Sequence, residues 1–324
     1  MREATFVKQN KDKWLKFESV MQNNTRISPN ELSSLYVQVT EDLNYAQTFY
    51  PNSETLAYLN ELSVGAHQKI YKTKKESKNK LYIFYFKEFP LFFYKHRKML
   101  LLSFILFLGF SCIGAYSASA DANFIRLILG DSYVNSTIEN IQNGDPMAVY
   151  KKAKQTDMFL GITINNIKVS LFAFIAGIFA GLGTIYIILQ NAIMLGSFQY
   201  FFYDQGLLWE SARTVWIHGT IEISVIIVAA TAGLVMGQSL LFPETYTRLQ
   251  SFTRGVKSGL KIVISTVPFF IIAGFLEGFV TRLTGMPDWT AILIIASSLA
   301  LILYYYVYLP YLTHKYHAKQ LHSI

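Results

Sequence analysis

His218 and Glu222 stand four residues apart, so a helix carries both on one face. Over Thr214–Pro243 they are the only ionisable side chains in an otherwise uncharged run. An ionisable group inside a membrane span costs about 3 kcal/mol or more on insertion scales, so such a pair must face protein and find a partner there. Glu277 is a second buried-acid candidate, and Asn165, Asn166 and Asn191 are the neutral polar candidates beside apolar stretches. Three chemistries fit: a structural polar pair, a conduit or conformational switch, or metal binding and catalysis. The last is poorly supported, because the string is His-Gly-Thr-Ile-Glu rather than His-Glu-x-x-His and no second histidine lies nearby. The single cysteine, Cys112, excludes an intrachain disulfide and a cysteine-based zinc cluster. No nucleophile elbow, phosphate loop or dinucleotide fingerprint occurs, so no catalytic residue, metal or cofactor is expected.

The elements that must position these residues lie in a membrane. Of 324 residues, 52% are hydrophobic and only 15% charged, against about 25% charged in an ordinary soluble domain. The mean hydropathy is +0.28. The deficit is uneven: residues 1–98 hold 16 Lys/Arg and 10 Asp/Glu, while 169–203 holds none of the four. A soluble first part followed by a multi-span second part is the expected organisation. No cleavable signal sequence is visible before the first apolar run near Met99. Basic residues gather beside apolar segments, at Lys95, Arg97 and Lys98 and again at Arg248, Arg254, Lys257 and Lys261. Such clusters set orientation and touch anionic headgroups. No groove-reading motif accompanies the net charge of +8, so nucleic acid is not an expected partner.

About 20 helical residues cross a hydrocarbon core. The runs predict six spans near 99–120, 169–189, 192–208, 214–238, 262–281 and 289–313, with a tight turn at Gln190-Asn191 and an extracytoplasmic loop over 121–168. Charge asymmetry places both termini and 243–261 in the cytoplasm, with 314–324 as a cytoplasmic tail. A re-entrant half-helix over 192–208 is the alternative. Tyr304, Tyr305, Tyr306, Tyr308 and Tyr311 read as a headgroup belt on the last span.

Ahead of the spans, residues 1–80 read as a cytoplasmic three-helix bundle. Phe6, Trp14, Phe17 and Met21 make one apolar stripe, Leu32, Leu35, Tyr36, Val39, Leu43 and Ala46 a second, and Leu56, Leu59, Leu62, Ala66 and Ile70 a third. Ser28-Pro29-Asn30-Glu31 is a helix start with N-cap, first-turn proline and capping-box glutamate. The charged tract Lys72–Lys80 follows, then an aromatic and basic elbow over 81–98 expected to lie in the membrane interface. The fold class is therefore all-α: a polytopic helical membrane protein with a transmembrane domain over 99–313 and an N-terminal soluble helical bundle. Glycine pairs four apart, Gly177/Gly181, Gly233/Gly237, Gly255/Gly259 and Gly274/Gly278, predict close helix approach, either within one chain or along a homodimer seam.

The chain resembles the stage II sporulation protein M family over nearly its whole length. In the first part the resemblance rests on Leu35-Tyr36, Asp42 to Ala46, Tyr50-Pro51 and Tyr58 to Leu62. In the second it rests on Asn165/Asn166, Phe174 to Gly177, Gly181 to Thr184 and Asn191 to Gly196. The most specific blocks are His218-Gly219-x-x-Glu222 with Ala232-Gly233, the Pro243 to Arg248 link and Glu277 to Thr281. It departs from the family at Asn191-Ala192, where Asn-Gly is common, and in the insert over 121–158. The resemblance implies a multi-pass protein of the bacterial inner membrane without known catalytic activity, whose named relatives bridge cell-wall hydrolases in a membrane complex. Long forms resemble those of non-sporulating bacteria, encoded near MoxR-like ATPases and RDD-domain membrane proteins, so sporulation itself is not transferred. Two functions follow as expectations: a scaffold for envelope or cell-wall machinery, or a permease-like or channel-like subunit with Glu222, His218 and Glu277 on its path and a separate ATPase as partner.

Overall fold

In the computed structural model the described residues are 1–22, 28–70, 79–151 and 154–321, and they divide into two compact units, Met1–Lys80 and Leu81–Ile324. The tract over 71–78 and the side chains of Met21 and Ile70 lie outside what is described. The architecture is all-helical, with six helices long and apolar enough to cross a membrane.

In the first unit, α1 (Glu3–Gln22), α2 (Pro29–Phe49) and α3 (Glu54–Ile70) enclose one core. Phe6, Trp14, Phe17, Leu35, Val39, Ala46, Leu59, Leu62 and Ala66 are buried in it, as the three stripes predict. The Ser28 hydroxyl accepts from Glu31 N at 3.2 Å, satisfying one of the first-turn donors of α2. Longer-range polar ties fix the helix register. Trp14 Nε1 donates to Asp42 Oδ2 at 2.7 Å and the Tyr58 hydroxyl donates to Glu18 Oε2 at 3.0 Å. Burial, then the Glu18 carboxylate, pushes the Tyr58 phenol up to about 12, so it stays a donor at any physiological pH. Trp14→Phe keeps most of the apolar volume but removes the indole donor, leaving Asp42 with its Lys13 ion pair. A charged hydrogen bond contributes about 1.5–3 kcal/mol, and we expect faster amide hydrogen exchange throughout α1–α3 of the full chain. Unchanged exchange would remove the Trp14–Asp42 bond as a determinant of this unit.

In the second unit the elbow is α4 (Lys80–Ile83), a π-helical turn Phe84–Glu88 and α5 (Phe89–Tyr94). Then come α6 (Arg97–Ala120), the short α7 (Ala122–Leu129) and α8 (Asp131–Gln142), α9 (Gln155–Ile175), α10 (Leu182–Asp204), α11 (Leu208–Leu241), α12 (Arg248–Phe275), α13 (Asp288–Leu303) and α14 (Leu309–Leu321). A 3-10 turn extends α9 to Ile178, a π-helical turn extends α12 to Thr281, and another joins α13 to α14. The hub is α11. Of its most apolar window 83% is buried, against 17% for α6, so α11 packs on neighbours all round while α6 turns most of its surface outward.

The expected span boundaries need correction in the middle of the chain. The second span is Gln155–Ile178 rather than 169–189, and the third is Leu182–Asp204 rather than 192–208. Lys168, which suggested a boundary, lies inside α9 with an exposed side chain; a long lysine stem tolerates such a position by carrying its ammonium along the surface. The reversal occurs at Phe179-Ala180-Gly181, where Gly181 takes φ +85° and its N–H bonds Gly177 O at 3.0 Å. Gln190-Asn191 is no turn: Asn191 sits within α10 and donates to Ile187 O at 2.8 Å. An uninterrupted α10 removes the re-entrant alternative, and the segment between the first two spans shrinks from 121–168 to 121–154. The remaining candidate spans, Arg97–Ala120, Leu208–Leu241, Arg248–Thr281 and Asp288–Gln320, contain the expected 99–120, 214–238, 262–281 and 289–313, the last three with longer ends.

Two aromatic expectations also change. Phe89 and Phe93 of the elbow are fully buried, and Tyr305 and Tyr306 are buried with them rather than standing in a headgroup belt. Phe89 stacks on Tyr305 with centroids 5.9 Å apart, Tyr305 donates to Tyr85 O at 3.0 Å, and Tyr306 donates to Ser265 O at 3.1 Å. Each phenol thus buries its ring and still satisfies its hydroxyl. Tyr304, Tyr308 and Tyr311 remain exposed.

Candidate functional site

The glycines decide how closely the spans approach, and so where the polar residues meet. A Cβ on Gly177 would collide with the backbone of Gly233, and one on Gly237 with the backbone of Ala180 and Gly181. Gly259 faces Phe174 and Ala232, Gly274 faces Thr163, and Gly278 faces Gln155 and Phe159. These contacts are all made within one chain. In the folded chain these glycines serve close packing between its own helices.

Close packing of α9, α11 and α12 brings His218, Glu222 and Glu277 together, although Glu277 is 55 positions beyond Glu222 in the chain. One ligating atom from each of the three lies within 4.8 Å of the others. His218 is buried, with its Nδ1 2.9 Å from Thr281 Oγ1 and its Nε2 3.7 Å from Glu277 Oε2. Thr281 is buried too, four residues beyond Glu277 on the same π-helical turn, which aims both side chains at α11. Asn166 on α9, 5% exposed, turns its amide toward the Glu222 carboxylate, close enough to interact with it but outside good hydrogen-bond geometry. One turn earlier, the buried Thr163 hydroxyl has no hydrogen-bond partner. A buried polar atom left in this way costs free energy comparable to a lost hydrogen bond.

The expected polar residues are therefore only partly assembled. Asn166 joins the cluster, Asn165 is exposed on the other face of α9, and Asn191 lines the approach. Thr281 and Thr163 were not expected; their signal was positional, since Thr281 follows Glu277 by one turn and Thr163 precedes Asn166 by one. The approach is a cavity of about 420 Å³ lined by Phe107 of α6, Asn191, Leu195 and Phe198 of α10, and Gly219 and Ile223 of α11, with His218, Glu222 and Glu277 on its wall. Leu129 of α7 and Tyr133 of α8 also line it, so it extends from the segment between the first two spans down to the cluster. That end of the domain is clamped by Arg213, which pairs with Asp288, and by Trp209 Nε1, which donates to Asp288 Oδ2 at 3.1 Å.

A second, larger cavity of about 760 Å³ lies among α5, α6, α11, α13 and the start of α14, mostly apolar, with Arg97, Lys98 and Ser224 among its lining. The expected interfacial cations Lys95, Arg97, Lys98, Arg248, Arg254, Lys257 and Lys261 are all exposed. Three lie on rings: Arg97 4.2 Å from the Tyr94 centroid, Arg254 3.9 Å from Tyr246 and Lys261 5.2 Å from Phe92.

Comparison with known proteins places this geometry. The family model described as Stage II sporulation protein M matches residues 103–282, which include most of the first candidate span, the next four and the whole polar cluster. A second model, described as Domain of unknown function (DUF8413), matches residues 4–72. A Methanocaldococcus jannaschii protein whose name says only that it is uncharacterized is 26% identical over 156 residues, covering 47% of this chain and 68% of its own length. No solved structure matches.

Proposed function

The chain belongs to the stage II sporulation protein M family, and we propose that within it this protein is a non-enzymatic, permease-like subunit that binds a small polar or cationic solute between its membrane helices. One observation carries the reading: the cavity that reaches His218, Glu222 and Glu277. Transporter midplanes keep ionisable groups where a cavity meets interrupted helices, and here Glu277 sits on a π-helical turn at such a meeting. A protein needing only rigidity would seal that place with apolar packing. The charge asymmetry supports a cytoplasmic-membrane orientation with both termini inside, so that the cavity approaches from the outer side. The scaffold reading is supported by a different observation, the N-terminal unit, whose family match is separate and whose helices enclose an apolar core of their own. That unit would serve as the dock for other envelope proteins or for an ATPase of the MoxR-like class.

Water access separates the two. A Cβ on Gly219 meets only the side chains of Ile223 and Val215 at 3.6 Å, so Gly219→Cys fits without strain. In a Cys112→Ser background, a charged methanethiosulfonate should modify Gly219→Cys from outside in proteoliposomes and spare Leu293→Cys, which is exposed on α13 but faces lipid in this reading. An inert Gly219→Cys would sink the permease-like reading and leave the scaffold.

A further inference from the structure

We propose that His218, Glu222 and Glu277 form a binding site for one divalent transition-metal ion of the zinc, manganese or iron(II) class inside the membrane domain. Geometry comes first. Ligand atoms on a four-coordinate zinc ion with bonds of about 2.0–2.2 Å stand about 3.3–3.6 Å apart. His218 Nε2 and Glu277 Oε2 are at 3.7 Å, and the Glu222 carboxylate completes a set within 4.8 Å, so small side-chain rotations close it on an ion. The imidazole is arranged as a ligand: its Nδ1 is held by Thr281 Oγ1, leaving Nε2 aimed at the acids, the outer-shell pattern that orients metal-bound histidines. Charge agrees. Two carboxylates and a neutral imidazole carry two negative charges, which one divalent ion cancels in a medium where net charge is costly. The imidazole also argues against magnesium and calcium, which take oxygen ligands.

The independent observation is Asn166. It is more than nine-tenths buried and turned toward Glu222, yet its Nδ2 reaches that carboxylate only outside good hydrogen-bond geometry. When Glu222 turns onto an ion, that amide is placed to donate to the carboxylate oxygen left off the metal, in better geometry than the metal-free site allows. The sequence hid this site because Glu277 completes it from another helix. The inference rests on the cluster alone and does not require the cavity to conduct.

The test uses the full chain in mild detergent, purified without a histidine tag and stripped with a chelator. Cobalt(II) serves as the probe, with zinc(II) as competitor. We expect one equivalent of cobalt per chain, visible absorption of a low-coordinate nitrogen–oxygen site, displacement by zinc, and a rise of the unfolding temperature with metal. Thr281→Val, which removes only the hydrogen bond to His218, should weaken binding about 10–100-fold. Glu222→Gln combined with Glu277→Gln should abolish the equivalent while the unfolding temperature of the metal-free protein shows that the fold persists. No cobalt binding by the wild-type chain, or binding unchanged in both variants, overturns the proposal. If Gly219→Cys is water-accessible while cobalt does not bind, the permease-like reading stands and only the metal site falls.

Discussion

Glu222→Gln should abolish activity in a complementation assay, to the level of a deletion, while the purified variant unfolds within about 1 kcal/mol of wild type or above it. The substitution keeps size and hydrogen-bonding capacity but removes the charge. In the folded chain the Glu222 carboxyl group lies beside Glu277 in a low-dielectric site, with His218 as its near neighbour on α11. Clustered buried acids favour function over stability, and replacing one of them by a neutral amide removes the cost of ionising it there. Glu277→Gln should behave in the same way. The purely structural reading predicts the opposite order: loss of stability through broken partners, by about 1–3 kcal/mol, with activity retained whenever the variant folds. Thermal unfolding in detergent beside complementation reads both quantities on one variant. A fully active, normally folded Glu222→Gln would remove the cluster from function altogether.

Gly233→Ala should lower stability markedly for one added methyl group. A Cβ at that position collides with Ala173 O and with Thr184 Oγ1. Thr184 is itself fixed, donating to Ala173 O at 2.8 Å across the reversal between α9 and α10. Neither neighbour is the free end of a flexible side chain, so backbone must move. Overpacking of this kind costs about 1–3 kcal/mol and occasionally more, or a fall of about 2–4 °C in unfolding temperature per kcal/mol for a unit of this size. Gly109→Ala and Gly161→Ala are the controls. A Cβ at either meets nothing within 4 Å, and alanine is the better helix former, so both should melt at or slightly above wild type. If Gly233→Ala melts with the controls, the close approach of α9, α10 and α11 is wrong. Because Gly233 and Gly177 hold α11 against the end of α9, the same variant should also disturb the polar cluster between those helices.

The sequence alone determined what depends on local pattern. Uncharged runs long enough for lipid announced a multi-span helical domain, because exposed backbone and charge are both costly there. Three stripes stepping by three and four residues marked the buried faces of α1, α2 and α3, and His218 and Glu222 declared themselves as a pair because one helix carries both. Where pattern was silent, only tertiary structure decided. The reversal at Phe179-Ala180-Gly181 is apolar throughout and bears no polar signal, so the break was expected at Gln190-Asn191 instead. Lys168 looked like the end of a span, yet a long side chain on an outward face does not stop a helix. Tyr305 and Tyr306 read like Tyr304 and Tyr308, and the π-helical turn that rotates them inward follows from packing against Phe89 and Phe269. Glu277 and Thr281 come to His218, and Asn166 to Glu222, only because glycines let α9, α11 and α12 touch backbone to backbone. Proximity across helices is a property of how they pack, and no single helix carries it.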